Sequence, residues 1–327
     1  MYLQAQPTSI AGKPNYAIQL FSTTSCRVPP FHESGFFFNE LAHVRQQYSG
    51  PSHLLVAVNQ QTGRSDARCA FFINNNQAIS PIAAPFGSVE FTDKLPDATL
   101  KCLLDQLVET ARLMGVSALR LVNYPHSYAP AQAERLTTQL LQSGFHVSNT
   151  YQNHSLAIDD DPFTGKIHSS ERRRLRKCER AGFTFDHWVN PDIDALTGFI
   201  AETRRQQGYR LTLTPERLTR LLRQFPDKFP VFVVHDGPAL AALTVAVRVR
   251  DNILYSFLPA SSPDYRSFSP AVMLTNGLYN YCQHQRIQLL DLGVSLDNDR
   301  QPKSTLMRFK ERLGAKASEK LVFKIIF

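Results

Sequence analysis

The chain has 327 residues, 43% of them hydrophobic and 20% charged, with a formal net charge of +8. That length is too great for one ordinary domain and suits two, and the composition excludes disorder, collagen-like fibre and low-complexity sequence for the chain as a whole. No apolar run approaches the roughly 18 residues of a membrane span, the start MYLQAQPTSIAGK lacks a leader pattern, and five dispersed cysteines suit a reducing cytoplasm better than a disulfide framework or a zinc cluster.

In chain order, Tyr16 to Phe21 reads as a strand and Gly35 to Gln47 as a helix. His53 to Val58, Cys69 to Ile73 and Gln77 to Ile82 read as a meander. Leu100 to Met114 carries Leu100, Leu103, Leu104, Leu107 and Ala111 at helical spacing. Ala118 to Asn123 follows as a strand and Pro130 to Gln142 as a helix with Gly144 after it. Thr150 to Ile158 is the last strand of the first half.

The second half repeats this order. Thr184 to Val189 alternates as a strand. Asn190-Pro191 reads as a helix start, with Asn as the cap and Pro at the first position. Thr214-Pro215 opens a second helix with Leu218, Leu221, Leu222 and Phe225 on one face. Val231 to His235, Leu240 to Arg250 and Ile253 to Leu258 form a meander, with Asp236-Gly237 expected at the centre of the first turn. Ser269-Pro270 starts another helix, Leu289 to Gly293 is a short buried strand, Ser304 to Arg312 is a helix with Gly314 past its end, and Leu321 to Phe327 closes as a strand. The expected class is α+β (mixed α/β). Each half, 1–158 and 159–327, holds a mixed, mostly antiparallel sheet flanked by helices.

Three segments add a family resemblance to the doubled order. Ser169 to Gly182 (SSERRRLRKCERAG) is rich in arginine. Pro263 to Pro270 (PDYRSFSP) stands before the central helix of the second copy. Arg308 to Ala315 (RFKERLGA) lies near the end. Together they resemble the Fem-type branch of the GNAT acyltransferases, a fold used here in tandem. The resemblance implies an N-acyltransferase in which an amine attacks an activated acyl group directly. The donor is acyl-CoA (acetyl-CoA) or aminoacyl-tRNA, and the acceptor is a small-molecule or peptide amine. In the tRNA case the reaction is that of a peptidoglycan-precursor ligase, with tRNA or a nucleotide-linked precursor as partner. A third reading, a non-catalytic binding protein with a degenerate GNAT fold, stays open.

The same resemblance sets the site expectations. Arg266, Ser269 and Ala271 occupy the slot of the family's Gly-rich phosphate loop at a helix N-terminus. Ser269 replaces the Gly there, and Pro270 removes an N–H donor. Phe309 and Lys310 are implied to lie at the donor, with the Lys310 cation stabilising negative charge on its phosphate or on the developing oxyanion. From the residues alone, Asp291 is a charge on a strand expected to be central, where it needs a partner. Tyr255 is a second catalytic candidate, and Tyr265 and Glu202 are further ones. Residues 1–150 hold ten basic and nine acidic residues, against 26 and 19 in the remainder, so the positive charge belongs to the second half. Arg172, Arg173, Arg174, Arg176 and Lys177 concentrate it, with Leu175, Cys178 and Ala181 expected on the docked face, and suit a phosphate or nucleic-acid contact. The histidines show no ligand spacing, so no metal is expected. The first copy lacks the loop pattern around Phe91 to Lys94 and is expected to bind no cofactor.

Overall fold

The computed structural model describes residues 16–211 and 213–327; the N-terminal stretch read for a leader lies outside them. Among the described residues, those up to Tyr151 form one unit together with Glu319–Phe327, and Gln152–Ser318 form the other.

The first unit runs β1 (Tyr16–Ser22), α1 (Leu41–Gln47), β2 (Ser52–Asn59), β3 (Arg64–Asn74), β4 (Gln77–Ser80), β5 (Val89–Phe91), α2 (Asp97–Leu113), β6 (Ala118–Val122), α3 (Pro130–Gln142) and the start of β7 (His146–Ala157). Its sheet has the order β1-β2-β3-β4-β6, with β5 also paired to β3. The five apolar residues picked out on α2 are all fully buried. Their 3.6-residue spacing lines up one face, and each buried leucine contributes roughly 1.5–3 kcal/mol by leaving water. The helix expected from Gly35 to Gln47 is broken: a 3-10 turn covers Phe37–Asn39, Glu40 is extended, and α1 starts at Leu41. Phe36, Phe37 and Phe38 are all buried, and three consecutive buried rings cannot share one helical face. Strand β5 occupies part of the stretch read as a loop.

The second unit takes the end of β7, then α4 (Phe163–Lys166), α5 (Ser169–Arg180), β8 (Thr184–His187), α6 (Ile193–Gln206), α7 (Pro215–Gln224), β9 (Val231–Asp236), β10 (Ala239–Arg250), β11 (Ile253–Ser261), α8 (Pro270–His284), β12 (Leu289–Val294) and α9 (Ser304–Arg312). The strand order is β7-β12-β11-β10-β9-β8, parallel only at β11–β12. The last strand, β13 (Lys316–Ile326), begins in this unit and returns to the first, where Val322 to Ile326 pair antiparallel with Val122 to Ala118.

Two local readings change. Asp192, not Asn190, caps α6: its carboxylate accepts from the Asp194 and Ala195 N–H groups, while Asn190 sits at φ 56. A carboxylate at a helix start also meets the positive end of the helix dipole. The β9–β10 turn centres on Gly237-Pro238, because Asp236 still pairs with Ala239. Gly237 supplies the positive φ of 55, and proline holds the following residue near its fixed φ.

Candidate active site

The geometry of interest begins where β11 and β12 part. They pair only at Ile253–Leu289, Leu254–Leu290 and Tyr255–Asp291; β11 then runs on to Ser261, and β12 bulges between Asp291 and Gly293 against β7. Parting parallel strands leave backbone groups that must find other partners. One such partner is Lys310 of α9. It is 6% exposed, and its Nζ donates to the Gly293 carbonyl at 2.8 Å and the Val294 carbonyl at 3.0 Å. Burial lowers its pKa to about 8, against an opposing pull from the Asp291 carboxylate. An ammonium has three N–H donors, so one remains for a bound molecule.

Asp291 shapes the bulge. Its Oδ1 accepts from Asn153 Nδ2 at 2.7 Å and from the Gly293 N–H at 2.7 Å. Gly293 has φ 73, and a Cβ there would lie 2.9 Å from Tyr255 Cε2. Only glycine takes this backbone without strain and lets the Tyr255 ring close in. Burial, and then the Asp291 charge, push the Tyr255 hydroxyl well above its ordinary pKa, so it stays protonated. The structure therefore brings Lys310, Asp291 and Tyr255 together around one bend in β12.

Sequence reasoning missed two members of this cluster. Asn153 holds Asp291. His154 is 0% exposed, pairs in register with Gly293, and has no hydrogen-bond partner on either ring nitrogen. Its Nε2 lies 3.9 Å from Glu311 Oε1. Burial, aided by Lys310, depresses its pKa and keeps it neutral. The available signal was the run Asn153-His154-Ser155, three polar residues inside a predicted strand.

The other candidates lie elsewhere in this unit. Arg266 is exposed, Ser269 and Ala271 are half-buried at the start of α8, and Phe309 packs its ring on the core. Ser269 adopts the left-handed φ of 61 that glycine favours, and its side chain makes no cap bond. The loop fits a diphosphate poorly. The N–H groups of Phe268 and Ser269 both donate to the Tyr265 carbonyl, and Pro270 has none. Glu202 on α6 is exposed and engaged by Arg205 and Gln206. Tyr265 packs its ring edge-on against Phe183.

On α5 the buried face is Glu171, Leu175 and Cys178; Ala181 lies past the helix end and is exposed. Glu171 replaces the expected apolar residue because Arg174 neutralises it at 2.9 Å. Arg172 donates to the Ile167 carbonyl, while Arg173 and Arg176 are exposed. Lys177 donates to the Ser267 carbonyl at 3.0 Å and stands over the Phe268 ring at 4.4 Å, so it ties α5 to the loop before α8. Among the described residues no group of three or more His, Cys, Asp or Glu side chains is placed to hold a metal ion. No helix among them is long and apolar enough to cross a membrane.

Residues 166–310 match the family model of an acetyltransferase (GNAT) domain. The chain is similar in structure to FemX, at 12% identity and a TM-score of 0.68, over 90% of this chain and 93% of that one. It is also similar to the C-terminal domain of a putative lysylphosphatidylglycerol synthetase from Agrobacterium fabrum, at 14% identity and 0.58, over 81% of each chain. A tandem GNAT protein from the clavulanic acid biosynthesis pathway matches at 13% and 0.54, over 95% and 98%. No curated protein matches the sequence.

Proposed function

Proceeding from a Fem-like fold of the GNAT superfamily, we propose that this chain is an acyltransferase that moves an acyl group onto an amine at the parting of β11 and β12. The carrying observation is the Lys310 ammonium, buried and held on the Gly293 and Val294 carbonyls at the end of the paired strands. The acceptor nitrogen attacks the acyl carbon, and the carbonyl π pair moves to oxygen. The third Lys310 N–H donates to that oxyanion. A fixed donor in a water-poor site stabilises such charge far more than one in solvent. Collapse breaks the bond to the leaving oxygen or sulfur, which takes the proton the amine sheds.

Asp291 serves in this reading as a positioning group rather than a base. Its Oδ1 is engaged by Asn153 and the Gly293 N–H, so it fixes the bend that presents the two carbonyls to Lys310. Tyr255 supports the same bend from behind.

The loop before α8 favours an aminoacyl ester of RNA over a CoA thioester as donor, because two of its N–H groups are turned inward and a third is missing. The exposed Arg173 and Arg176 suit RNA phosphates, and such contacts weaken steeply with salt. Single-turnover transfer to an amine, compared between CoA thioesters and aminoacyl-RNA minihelices, tests both parts. Transfer from the RNA ester alone, lost in Lys310→Met, is the expected result. Transfer from thioesters alone overturns the donor assignment. Transfer undiminished in Lys310→Met overturns the site.

A further inference from the structure

The second unit has another concave site, at the opposite end of its strands. Here β10 ends and β11 begins, where β11 and β12 are still paired. The groove measures about 710 Å³, within the usual range of small-molecule sites. His187 and Trp188 from the end of β8 line it with Leu222, Phe229, Arg248 of β10 and Tyr281 of α8. Its aromatic wall is fixed: the His187 and Tyr281 rings pack on Phe232 with centroids 4.9 and 4.7 Å away.

The polar chemistry of the groove is one-sided. Among its lining residues, the half-buried polar side chains are Trp188, Arg248 and Tyr281. The indole N–H and the guanidinium can only donate, and the tyrosine hydroxyl donates readily. Among the described residues none of the three side chains makes a hydrogen bond or ion pair with the protein. Asp227, the carboxylate of the lining, is exposed and does not pair with Arg248. Unpaired donors beside aromatic walls match an anion carried on a flat apolar body. A guanidinium fork suits the two oxygens of a carboxylate or phosphate.

We propose that this groove binds a small molecule bearing a carboxylate or phosphate on a planar apolar body. Arg248 and the Tyr281 hydroxyl hold the anion, and Trp188, His187 and Tyr281 flank the body. The site needs none of the groups around Lys310.

Trp188 is the single tryptophan of the chain, so its fluorescence reports the groove directly. The full chain is titrated with benzoate, phenyl phosphate, inorganic phosphate and benzyl alcohol, with absorbance corrected on free tryptophan amide. A saturable change is expected with benzoate or phenyl phosphate, and the tighter of the two identifies the anion. Arg248→Met should weaken binding about tenfold or more, as loss of a charge-assisted contact does. Tyr281→Phe should weaken it a few-fold. The proposal is overturned by no saturable response to either aromatic anion at millimolar concentration, by an equal response to benzyl alcohol, or by inorganic phosphate binding as tightly as phenyl phosphate. Undiminished affinity in Arg248→Met also overturns it. Should that variant fail to fold by circular dichroism, Arg248→Lys keeps the charge without the fork, and unchanged affinity there is equally fatal.

Discussion

The parallel pair β4–β6 of the first unit and the parallel pair β11–β12 of the second end differently. In the first unit all four residues of β4 pair with β6, from Gln77–Ala118 to Ser80–Leu121. The chain then folds over the end of the pair: the Gly87 N–H donates to the Val122 carbonyl at 3.0 Å, and the Ser88 N–H to Ser80 Oγ at 2.9 Å. Phe36, Phe86, Tyr124 and Tyr128 fill the space beyond, with ring centroids 4.8–6.2 Å apart. In the second unit three residues of β11 pair with β12 and the other six do not. The freed carbonyls there meet an ammonium instead of backbone and rings. One topology thus ends on backbone and rings in one place and on a buried ammonium in the other. What separates them is what covers the last pair.

Four measurements press on that contrast. The largest effect expected is on rate: Lys310→Met should lower acyl transfer by about 10²–10³, the usual loss for one donor to an oxyanion. Its melting temperature should not fall, because burying the ammonium is itself unfavourable. A methionine variant with full activity breaks the contrast outright.

Next comes pH. The Lys310 pKa is about 8 folded, against an ordinary 10.5. Between those values the unfolded chain binds more protons, so stability should climb as pH rises from about 8 towards 10.5. The gain, roughly 3 kcal/mol at most from this group, should be missing in Lys310→Met. Denaturant midpoints at pH 8 and pH 10 check it, and identical slopes in both proteins would show that Lys310 is not buried as an ammonium.

Glycine substitutions then separate the two ends. Gly293→Ala puts a Cβ against Tyr255 at a positive φ. It should destabilise by about 2 kcal/mol or more and lower the rate per folded molecule. Gly87→Ala meets Ser80 Oγ at 2.8 Å and the Pro81 nitrogen at 2.9 Å. It should also destabilise, yet leave that rate unchanged. Equal rate losses in both would erase the distinction.

The smallest effect is at Ser269. Ser269→Gly relieves a left-handed residue and should stabilise by about 0.5–1 kcal/mol. It should bring no thioester transfer, because Pro270 still lacks an N–H. A gain in thioester use would move the donor assignment back to CoA.

Much of the fold was legible in local pattern. The apolar spacing of α2 and the Thr214-Pro215 start of α7 signal themselves within one helix, and Thr214 does accept from the Arg217 N–H. The family resemblance pointed to Lys310, and a lone charge in an apolar strand pointed to Asp291. Other features had no local signature. Asn153 and His154 join Asp291 only through strand register across more than a hundred residues. The capping carboxylate of Asp192 lies one residue past Pro191, the proline that marks the expected helix start. Glu171 stands in a charge run with no local sign of burial, yet it is buried and pairs with Arg174 one turn on. The groove around Trp188 draws on β8, α7, β10 and α8, so no sequence window contains it.

The return of β13 has a consequence for synthesis. The β6 edge of the first unit is covered by Val322 to Ile326, which include the fully buried Val322 and Phe323. A ribosome makes those residues after the whole of the second unit. Until they emerge, β6 waits with an open strand edge, the kind of surface that invites mispairing between nascent chains.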